Sequence, residues 1–406
     1  MTDRTLVDAI DTGGADLTKA STYMAGVPHD AFARLRAVAP VSWHREENGP
    51  GFWALTGHRD SVVVSRDSET FSSWAGGMMI ADSDPASLEQ MRMMMIIMDP
   101  PEHTKLRLLI NKGFTPRHVQ RLHDRISEMA RDIVDTVAPL GECDFVTQVS
   151  GELPSMVIAD LMGIPLDHGR MLYQLTEQMH TNIENRSGSG DAQAQMFGYA
   201  QELAARKRDE PGDDIASALL AAEVDGHKLT DLEFNLFFML LINAGGDTTR
   251  NLVANGMITL LDNRDQLELL RDNPALLPSA VEEMLRYVPP VLMFRRTVTR
   301  DTELSGMPIA AGEKVVMFYP AANRDPAVFA DPDRFDVTRD PNPHVAFGGG
   351  GAHFCLGANL ARVEIRAMFE QVLWRLPDLE LAGPVEPLHS NFIWGPHRMP
   401  VRFTPR

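Results

Sequence analysis

Residues 347–362 read FGGGGAHFCLGANLAR, and they include Cys355, one of only two cysteines among 406 residues. Four glycines and then His353 precede this cysteine, and a helix is predicted to begin near it. Free backbone N–H groups at a helix start stabilise a thiolate. Glycines have no Cβ, so they let the backbone approach a flat or bulky group closely. The pattern therefore favours a thiolate held against a large cofactor.

Three other interpretations of Cys355 stay open at this point. His344 and His353 are candidate zinc ligands, but a closed zinc site needs four ligands and no fourth is near. A nucleophilic cysteine with His353 as its base is a second alternative. The third is a cysteine that is merely buried after a glycine loop, as we expect for the distant Cys143.

Charge and composition exclude several classes of protein. The net charge of −18 argues against nucleic acid as a partner. No apolar run reaches the roughly 20 residues that a membrane-spanning helix needs. The N-terminus is polar and acidic and lacks the apolar core of a signal peptide. We therefore expect a cytoplasmic protein with no membrane anchor.

The chain changes character along its length. Residues 50–72 mix a short apolar run with turn residues and are predicted as β, and 101–285 are predicted to be mainly helical. A loop between helices is predicted at 185–195. Short β-type runs follow at 289–320, and Asp-Pro turns fill 322–344. Since no linker separates two cores, we predict a single domain over residues 1–406.

The stretch around Cys355 resembles the cysteine-ligand loop of the cytochrome P-450 family. The resemblance implies that Cys355 is the axial ligand of the iron in haem b, iron protoporphyrin IX, and that N–H groups after it bond the sulfur. Phe347 lies eight residues before the cysteine, whereas the family usually has seven. Actinobacterial members that oxidise sterol side chains and methyl-branched lipids share the additional glycine.

The haem propionates would need cations. Asp99 is predicted to cap a helix on which His103 and Arg107 lie four residues apart, on one face. Taken alone, such a pair is typical of a solvated charged face. The resemblance implies that both bind the propionates, and Arg296 and His353 match two further propionate positions.

A helix that is apolar nearly all round is predicted over residues 234–261. Its centre is interrupted by Gly245 and Gly246, so we expect a local opening of the helix there. The segment AGGDTT resembles the oxygen-activation motif of the family. The resemblance implies that Asp247 and Thr248 are the acid and the alcohol that relay protons.

Two further motifs match the family's structural network. Glu283 and Arg286 lie three apart on a predicted helix and match its Glu-x-x-Arg signature. Arg334, in DPDRF, matches the partner motif and is expected to complete the buried network. The whole set implies the mainly α cytochrome P-450 fold, a triangular helical prism with a minor β region and haem buried in its core.

The substrate pocket is predicted to be apolar, because the side chains at the family's pocket positions are apolar. A methionine-rich segment before the His103 helix adds flexible thioethers suited to ligands of irregular shape. The predicted pocket residues are Met98, Ala244, Val291, Leu292, Phe294 and Phe392.

These matches imply a haem-thiolate monooxygenase that inserts one atom of O2 into a C–H bond of a methyl-branched lipid, terpenoid or sterol side chain. Electrons would come from a separate ferredoxin and its reductase. The candidate docking cations are Lys105, Lys112, Arg117, Arg362 and Arg366. The alternatives are a haem-thiolate peroxygenase, isomerase or dehydratase, which needs no proton relay, and a non-enzymatic haem or lipid-binding protein.

Overall fold

The computed structural model describes residues 14–111, 116–184, 190–224 and 226–406, and within these it leaves out the side chains of 116–121, 177, 179–184 and 190. The chain falls into two compact units. The sheet unit comprises Met1–His103, Asn263–Cys355 and Pro387–Trp394, and the helical unit comprises Thr104–Asp262, Leu356–Glu386 and Gly395–Arg406. That all 406 residues form one domain stays a prediction.

The α-helices follow one another along the chain with short connections. In order they are α1 (Ala20–Met24), α2 (His29–Val38), α3 (His58–Arg66), α4 (Pro85–Met91), α5 (Glu102–Asn111), α6 (Pro116–Val137), α7 (Glu152–Leu161), α8 (Leu166–Glu184), α9 (Gly190–Asp209), α10 (Ile215–Ala221), α11 (Asp231–Asp262), α12 (Arg264–Asp272), α13 (Leu277–Tyr287), α14 (Tyr319–Ala322) and α15 (Ala358–Arg375). Short 3₁₀ turns occupy Met95–Ile97 and Pro274–Leu276, and a π-helical turn occupies Val146–Ser150.

The strands are short. In order they are β1 (Val41–His44), β2 (Phe52–Leu55), β3 (Phe71–Ser72), β4 (Glu142–Asp144), β5 (Met293–Val298), β6 (Thr302–Leu304), β7 (Met307–Ile309), β8 (Lys314–Phe318), β9 (Glu380–Leu381), β10 (Glu386–Pro387), β11 (Pro396–Arg398) and β12 (Pro400–Arg402). A mainly helical protein with a minor β part was predicted, and this is confirmed.

The sheet unit is built on a five-stranded sheet in the order β1-β2-β8-β5-β3. Strands β2 and β8 run parallel, and the other neighbours run antiparallel. Because side chains alternate along a strand, Phe294 and Arg296 of β5 share one face, while Arg295 lies on the other. This alternation separates the two adjacent arginines.

The helical unit is organised around α11, which packs against α7, α8, α9 and α15. Its buried side chains, among them Phe234, Phe238, Met257 and Leu260, lie on all sides of the helix. A helix apolar all round is stable only when neighbours surround it. The prediction of a buried helix at 234–261 is therefore confirmed.

Two local predictions were wrong in part. Residues 50–72 were predicted as β, and Phe52–Leu55 and Phe71–Ser72 are strands, but the run VVVS between them forms part of helix α3. Residues 190–195 of the predicted loop are helical, since α9 begins at Gly190, and 185–189 lie outside the described residues. The last helix begins at Ala358, near Cys355 as predicted.

Among the described residues, no single helix is long and apolar enough to cross a membrane. One bent pair of segments, Val146–Leu161 with Leu166–Thr176, would pass by length and composition together. The two segments meet at an angle of 118°.

Candidate active site

Cys355 is exposed at the end of the glycine run in the sheet unit. Its backbone N–H donates to the carbonyl oxygen of Phe347 at 3.0 Å, which closes the loop. The glycines approach helix α3: a Cβ on Gly349 would lie 2.8 Å from the Cα of Val62, and one on Gly351 would lie 2.3 Å from the carbonyl oxygen of Ser65. The close approach for which these two glycines are needed is therefore to a helix backbone.

Tyr319 and Arg296 are buried near Cys355. The pKa of the Tyr319 hydroxyl is raised to about 12 because burial outweighs the lowering by Arg296, and the negative charge of Cys355 contributes to the rise. Burial also lowers the pKa of the Arg296 guanidinium, whereas the negative charges of Tyr319 and Asp99 raise it. The Tyr319 hydroxyl thus lies close enough to both the Arg296 guanidinium and the Cys355 sulfur for each charge to shift its pKa.

Two histidine rings meet beside this group. The ring centroids of His103 and His353 are 4.4 Å apart, and the His353 Nε2 lies 3.3 Å from the hydroxyl of Ser73. His103 is only 1% exposed. The sheet unit therefore brings His103, Arg296, His353 and Cys355 into one neighbourhood, as the resemblance requires.

Asp99 does not cap α5 with its side chain. Its carboxylate accepts hydrogen bonds from the hydroxyl of Ser72 and from the N–H of Ser73, while its backbone carbonyl accepts the N–H of His103 at 3.0 Å. The predicted cap was wrong, because the carboxylate bonds β3 and the residue after it. Arg107 lies one turn further along α5, in the helical unit, half-buried.

The structure separates the roles of the two adjacent arginines of β5. Arg295 binds Asp82 through Nη1 at 2.6 Å. Arg296 lies on the opposite face, with its guanidinium carbon 5.9 Å from the ring centroid of Phe294. Since Arg295 already neutralises a carboxylate, Arg296 is the better candidate to bind an added anion.

These residues fit a haem group. A thiol is the soft ligand that haem iron accepts, and a buried guanidinium beside imidazoles suits the carboxylates of the propionates. The carboxylate of Asp99 near Arg296 is already bonded to two serines. Within the described part of the chain, no three His, Cys, Asp or Glu side chains could hold a metal ion together, which argues against the zinc alternative.

In the helical unit, α11 stays helical through Gly245 and Gly246, so the predicted local opening was wrong. Ala244 is exposed and Thr248 is half-buried, whereas Asp247 and Thr249 are buried. The Thr248 hydroxyl donates to the Ala244 carbonyl oxygen at 2.7 Å. Ala244 and Thr248 therefore lie together on an open strip of an otherwise buried helix.

Asp247 has a cationic neighbour that lies outside the AGGDTT motif. An Oδ1 of Asp247 lies 3.7 Å from Nη2 of Arg250, and both side chains are 3% exposed. Arg250 in turn contacts the hydroxyl of Tyr173 on α8 through Nη1. The spacing of three residues on one helix was a visible signal for the Asp247–Arg250 pair.

Four of the apolar residues predicted for the pocket, Val291, Leu292, Phe294 and Phe392, lie close together in the sheet unit. The rings of Phe294 and Phe392 are T-shaped at 5.4 Å, and the N–H of Leu292 donates to the carbonyl of Phe392 at 2.8 Å. Val291 pairs with Ile393 in an isolated antiparallel β-bridge. Leu292 is fully buried in the core, whereas Val291, Phe294, Phe392 and Met98 are half-buried.

Glu283 and Arg286 form a fully buried ion pair, with Nε to Oε2 at 2.7 Å. Arg334 was expected to complete this network with its side chain, and that prediction was wrong. Arg334 is exposed and offers only its carbonyl oxygen, which accepts Nη2 of Arg286 at 2.9 Å. Instead, Arg339 places its Nε 3.1 Å from Oε2 of Glu283. Arg339 lies five residues further along a turn-rich segment, so the motif alone did not identify it.

A mainly helical protein in which a cysteine at the end of a glycine loop lies in one neighbourhood with the buried Arg296 and two histidines has the features of a haem-thiolate enzyme. The family model described as cytochrome P450 matches residues 170–382. The chain belongs to the cytochrome P450 family. It is a haem-dependent monooxygenase.

Several relatives carry functional names. The steroid C26-monooxygenase of Mycobacterium tuberculosis is 41% identical over 97% of this chain and 93% of its own length. The methyl-branched lipid omega-hydroxylase of Mycobacterium bovis is 40% identical over 92% of this chain and 90% of its own. The structure of Mycobacterium marinum cytochrome P450 CYP268A2 in complex with pseudoionone is 40% identical, with a TM-score of 0.88 and coverage of 96% and 98%.

Proposed function

We propose that this monooxygenase hydroxylates a methyl-branched lipid, a terpenoid or a sterol side chain, preferably at a terminal methyl group. The observation that carries the proposal is the apolar face formed by Phe294 and Phe392, with Val291 beside it, in a chain whose relatives are named for such substrates. An apolar wall binds a hydrocarbon chain by excluding water from it.

Haem held through a thiolate supplies the activation of O2, so that one oxygen atom enters a C–H bond and the other leaves as water. We propose that Cys355 provides the thiolate. His103, Arg107, Arg296 and His353 would bind the propionates, and the burial of Arg296 strengthens such a charge-assisted bond.

The proton steps would fall to α11. We propose that the Thr248 hydroxyl, which donates to the Ala244 carbonyl oxygen at 2.7 Å, would rotate outward from α11 and supply a proton for the reaction. Asp247 would resupply that proton through water, and Arg250 at 3.7 Å holds its carboxylate in place. Loss of the Thr248 hydroxyl would uncouple NAD(P)H consumption from product and release peroxide, whereas loss of the Asp247 carboxylate would slow product formation.

Turnover under ¹⁸O2 tests this function. The haem-loaded protein would receive ferredoxin, its reductase, NAD(P)H and one hydrophobic compound from each of the three classes. The proposal predicts an alcohol that carries one ¹⁸O atom for at least one class. Product formed with peroxide alone, or isomerised product without ¹⁸O, would instead support the alternative reaction types.

We further propose that a separate ferredoxin delivers the electrons, in the cytoplasm. Lys105 is exposed, Arg362 is half-buried, and Arg366 is 42% exposed although it pairs with Glu370. Lys112 and the side chain of Arg117 lie outside the described residues. An acidic ferredoxin would be attracted by these cations, so the rate at which it reduces this enzyme should fall as the salt concentration rises.

The matched test is Lys105→Gln against Arg398→Gln, since Arg398 is also exposed and pairs with Glu386. Lys105→Gln should slow electron transfer and flatten its salt dependence, and Arg398→Gln should do neither. Equal rates in both variants at every salt concentration would reject the docking role.

A further inference from the structure

Four charged side chains cluster in the sheet unit: Arg295 of β5, Lys314 of β8, Asp82 and Glu46. Arg295 Nη1 lies 2.6 Å from Oδ1 of Asp82. Lys314 Nζ lies 2.8 Å from Oδ2 of Asp82 and 2.7 Å from Oε2 of Glu46. The two cations are 4% and 2% exposed, whereas the Asp82 side chain is 44% exposed. Asp82 therefore bridges two buried cations from their solvent side.

The chain around Asp82 wraps these cations with its backbone. The Arg295 N–H donates to the Met78 carbonyl at 2.9 Å, and Lys314 Nζ donates to the Ile80 carbonyl at 3.0 Å. A Cβ on Gly76 would lie 2.3 Å from Nη2 of Arg295. Residues 76–82, called the strap below, are thus fastened to β5 and β8.

The strap shares an apolar cluster with Phe392, one member of the proposed substrate wall, whereas Val291 and Phe294 pack against a second cluster. Ile80 is buried in the core with Leu292 and Met293, and Met79 and Phe392 pack against that core. The opposite face of β5 carries Phe294 and Arg296. The position of the strap therefore sets where Met79 lies relative to Phe392.

Asp82 is the member of the cluster suited to this task. Arg295 and Lys314 cannot stay buried without acceptors, and Lys314 keeps Glu46 if Asp82 loses its charge. Removal of the Asp82 charge should then loosen the strap but leave the sheet folded. The residue controls a local position, not the stability of the unit.

We propose that Asp82 is a positioning residue for substrate specificity: through Arg295 and Lys314 it fixes the strap and thereby the width of the apolar wall. This proposal rests on the proposed function, since it takes Phe392 and its neighbours as the substrate wall. A fixed wall favours one width of hydrocarbon, such as a slim branched chain over a four-ring sterol, or the reverse.

The test compares Asp82→Asn, Asp82→Glu and Asp84→Asn in the full, haem-loaded protein. Asp84 is a matched control, because its carboxylate bonds only the start of its own helix α4, at Ala86 and Ser87. The rate of amide hydrogen exchange in residues 76–82 measures directly how firmly the strap is held. Ligand-induced change of the haem spin state gives the Kd of a methyl-branched fatty acid and of a sterol.

Asp82→Asn should speed exchange of the strap about tenfold and change the ratio of the two Kd values about threefold or more. Asp82→Glu should restore both values in part, and Asp84→Asn should match the wild type. Unchanged exchange, or an equal loss for both ligands at an unchanged ratio, overturns the proposal. If the wild type responds to neither ligand, the methyl-branched lipid and sterol classes of the proposed function fail, and the specificity role fails with them.

Discussion

The hydroxyl of Thr248 donates a hydrogen bond of 2.7 Å to the carbonyl oxygen of Ala244, one turn earlier in α11. This carbonyl belongs to the segment where glycines predict an opening, yet the helix is continuous from Asp231 to Asp262. A threonine hydroxyl that donates to a carbonyl of the preceding turn lies against its own helix. It can turn outward without any break in the backbone.

Loss of this hydroxyl should uncouple the reaction. In Thr248→Val, we expect the product formed per NAD(P)H consumed to fall by about tenfold to a hundredfold, with peroxide released in its place. Quantification of product, NAD(P)H and peroxide in one reaction measures this. Thr249→Val is the control, because Thr249 is buried beside it; normal coupling in Thr248→Val would remove the alcohol from the mechanism.

Loss of the neighbouring carboxylate should slow the proton steps without weakening binding. Asp247→Asn is expected to lower kcat by about a hundredfold and to leave the Kd of the ligand nearly unchanged. Asp262→Asn, at the exposed end of the same helix, should leave both values unchanged. A matching rise in Kd for Asp247→Asn would show that Asp247 contributes to binding rather than to proton transfer.

Haem retention should depend on Arg296. Because hydrogen bonds to charged partners are the strong ones, Arg296→Gln should weaken haem binding about tenfold. Transfer of haem to apomyoglobin measures this loss. Arg300→Gln is the control, since Arg300 is exposed and bonds the hydroxyl of Thr70 at 2.7 Å; equal transfer rates in both variants would contradict the propionate role.

The buried ion-pair network predicts unequal effects for two arginines. Arg339→Gln should lower the free energy of unfolding by about 1–3 kcal/mol, because it leaves part of the buried Glu283 carboxylate without its cation. Arg334→Gln should change it by less than about 0.5 kcal/mol, since that side chain is exposed. Denaturant titration of both variants decides, and a larger effect at Arg334 would reverse the assignment.

Glu364 on α15 gives the helical unit a pH dependence. It is fully buried, and burial raises its pKa from 4.5 to about 8. Because the folded protein holds this proton more tightly than the unfolded chain does, its free energy of unfolding should fall as the pH rises from 4.5 to about 8. The total fall is on the order of a few kcal/mol.

Melting temperature against pH measures this slope. Glu364→Gln should flatten it, whereas Glu370→Gln, which removes a half-exposed carboxylate from the same helix, should not. An identical slope in the wild type and Glu364→Gln would assign the pH dependence to other groups.

Periodicity predicted the long elements well and failed where buried side chains are polar. Helix α11 was predictable because it is apolar on all sides. Helix α3 was not, because its buried positions include Ser61 and Ser65, whose hydroxyls bond carbonyls of the preceding turn at 3.0 and 2.7 Å. The three valines beside them favoured a strand.

The site was predictable where a motif is local and was not where partners are distant in sequence. The Glu283–Arg286 pair spans one helical turn. Arg339 reaches Glu283 from 56 residues away, and Asp82 reaches Arg295 from 213. Such contacts depend on how loops pack, and no spacing rule encodes them.

The central claim is that Cys355 holds haem iron as a thiolate. The most direct test is the difference spectrum between the ferrous and ferrous–CO forms of the wild type, Cys355→Ala and Cys143→Ala. Cys143 is a suitable control because burial raises its pKa to about 12, which disfavours the thiolate. We expect a strongly red-shifted Soret band in the wild type and Cys143→Ala that is lost in Cys355→Ala. A band that survives in Cys355→Ala, or is absent from folded, haem-loaded wild type, would contradict the claim.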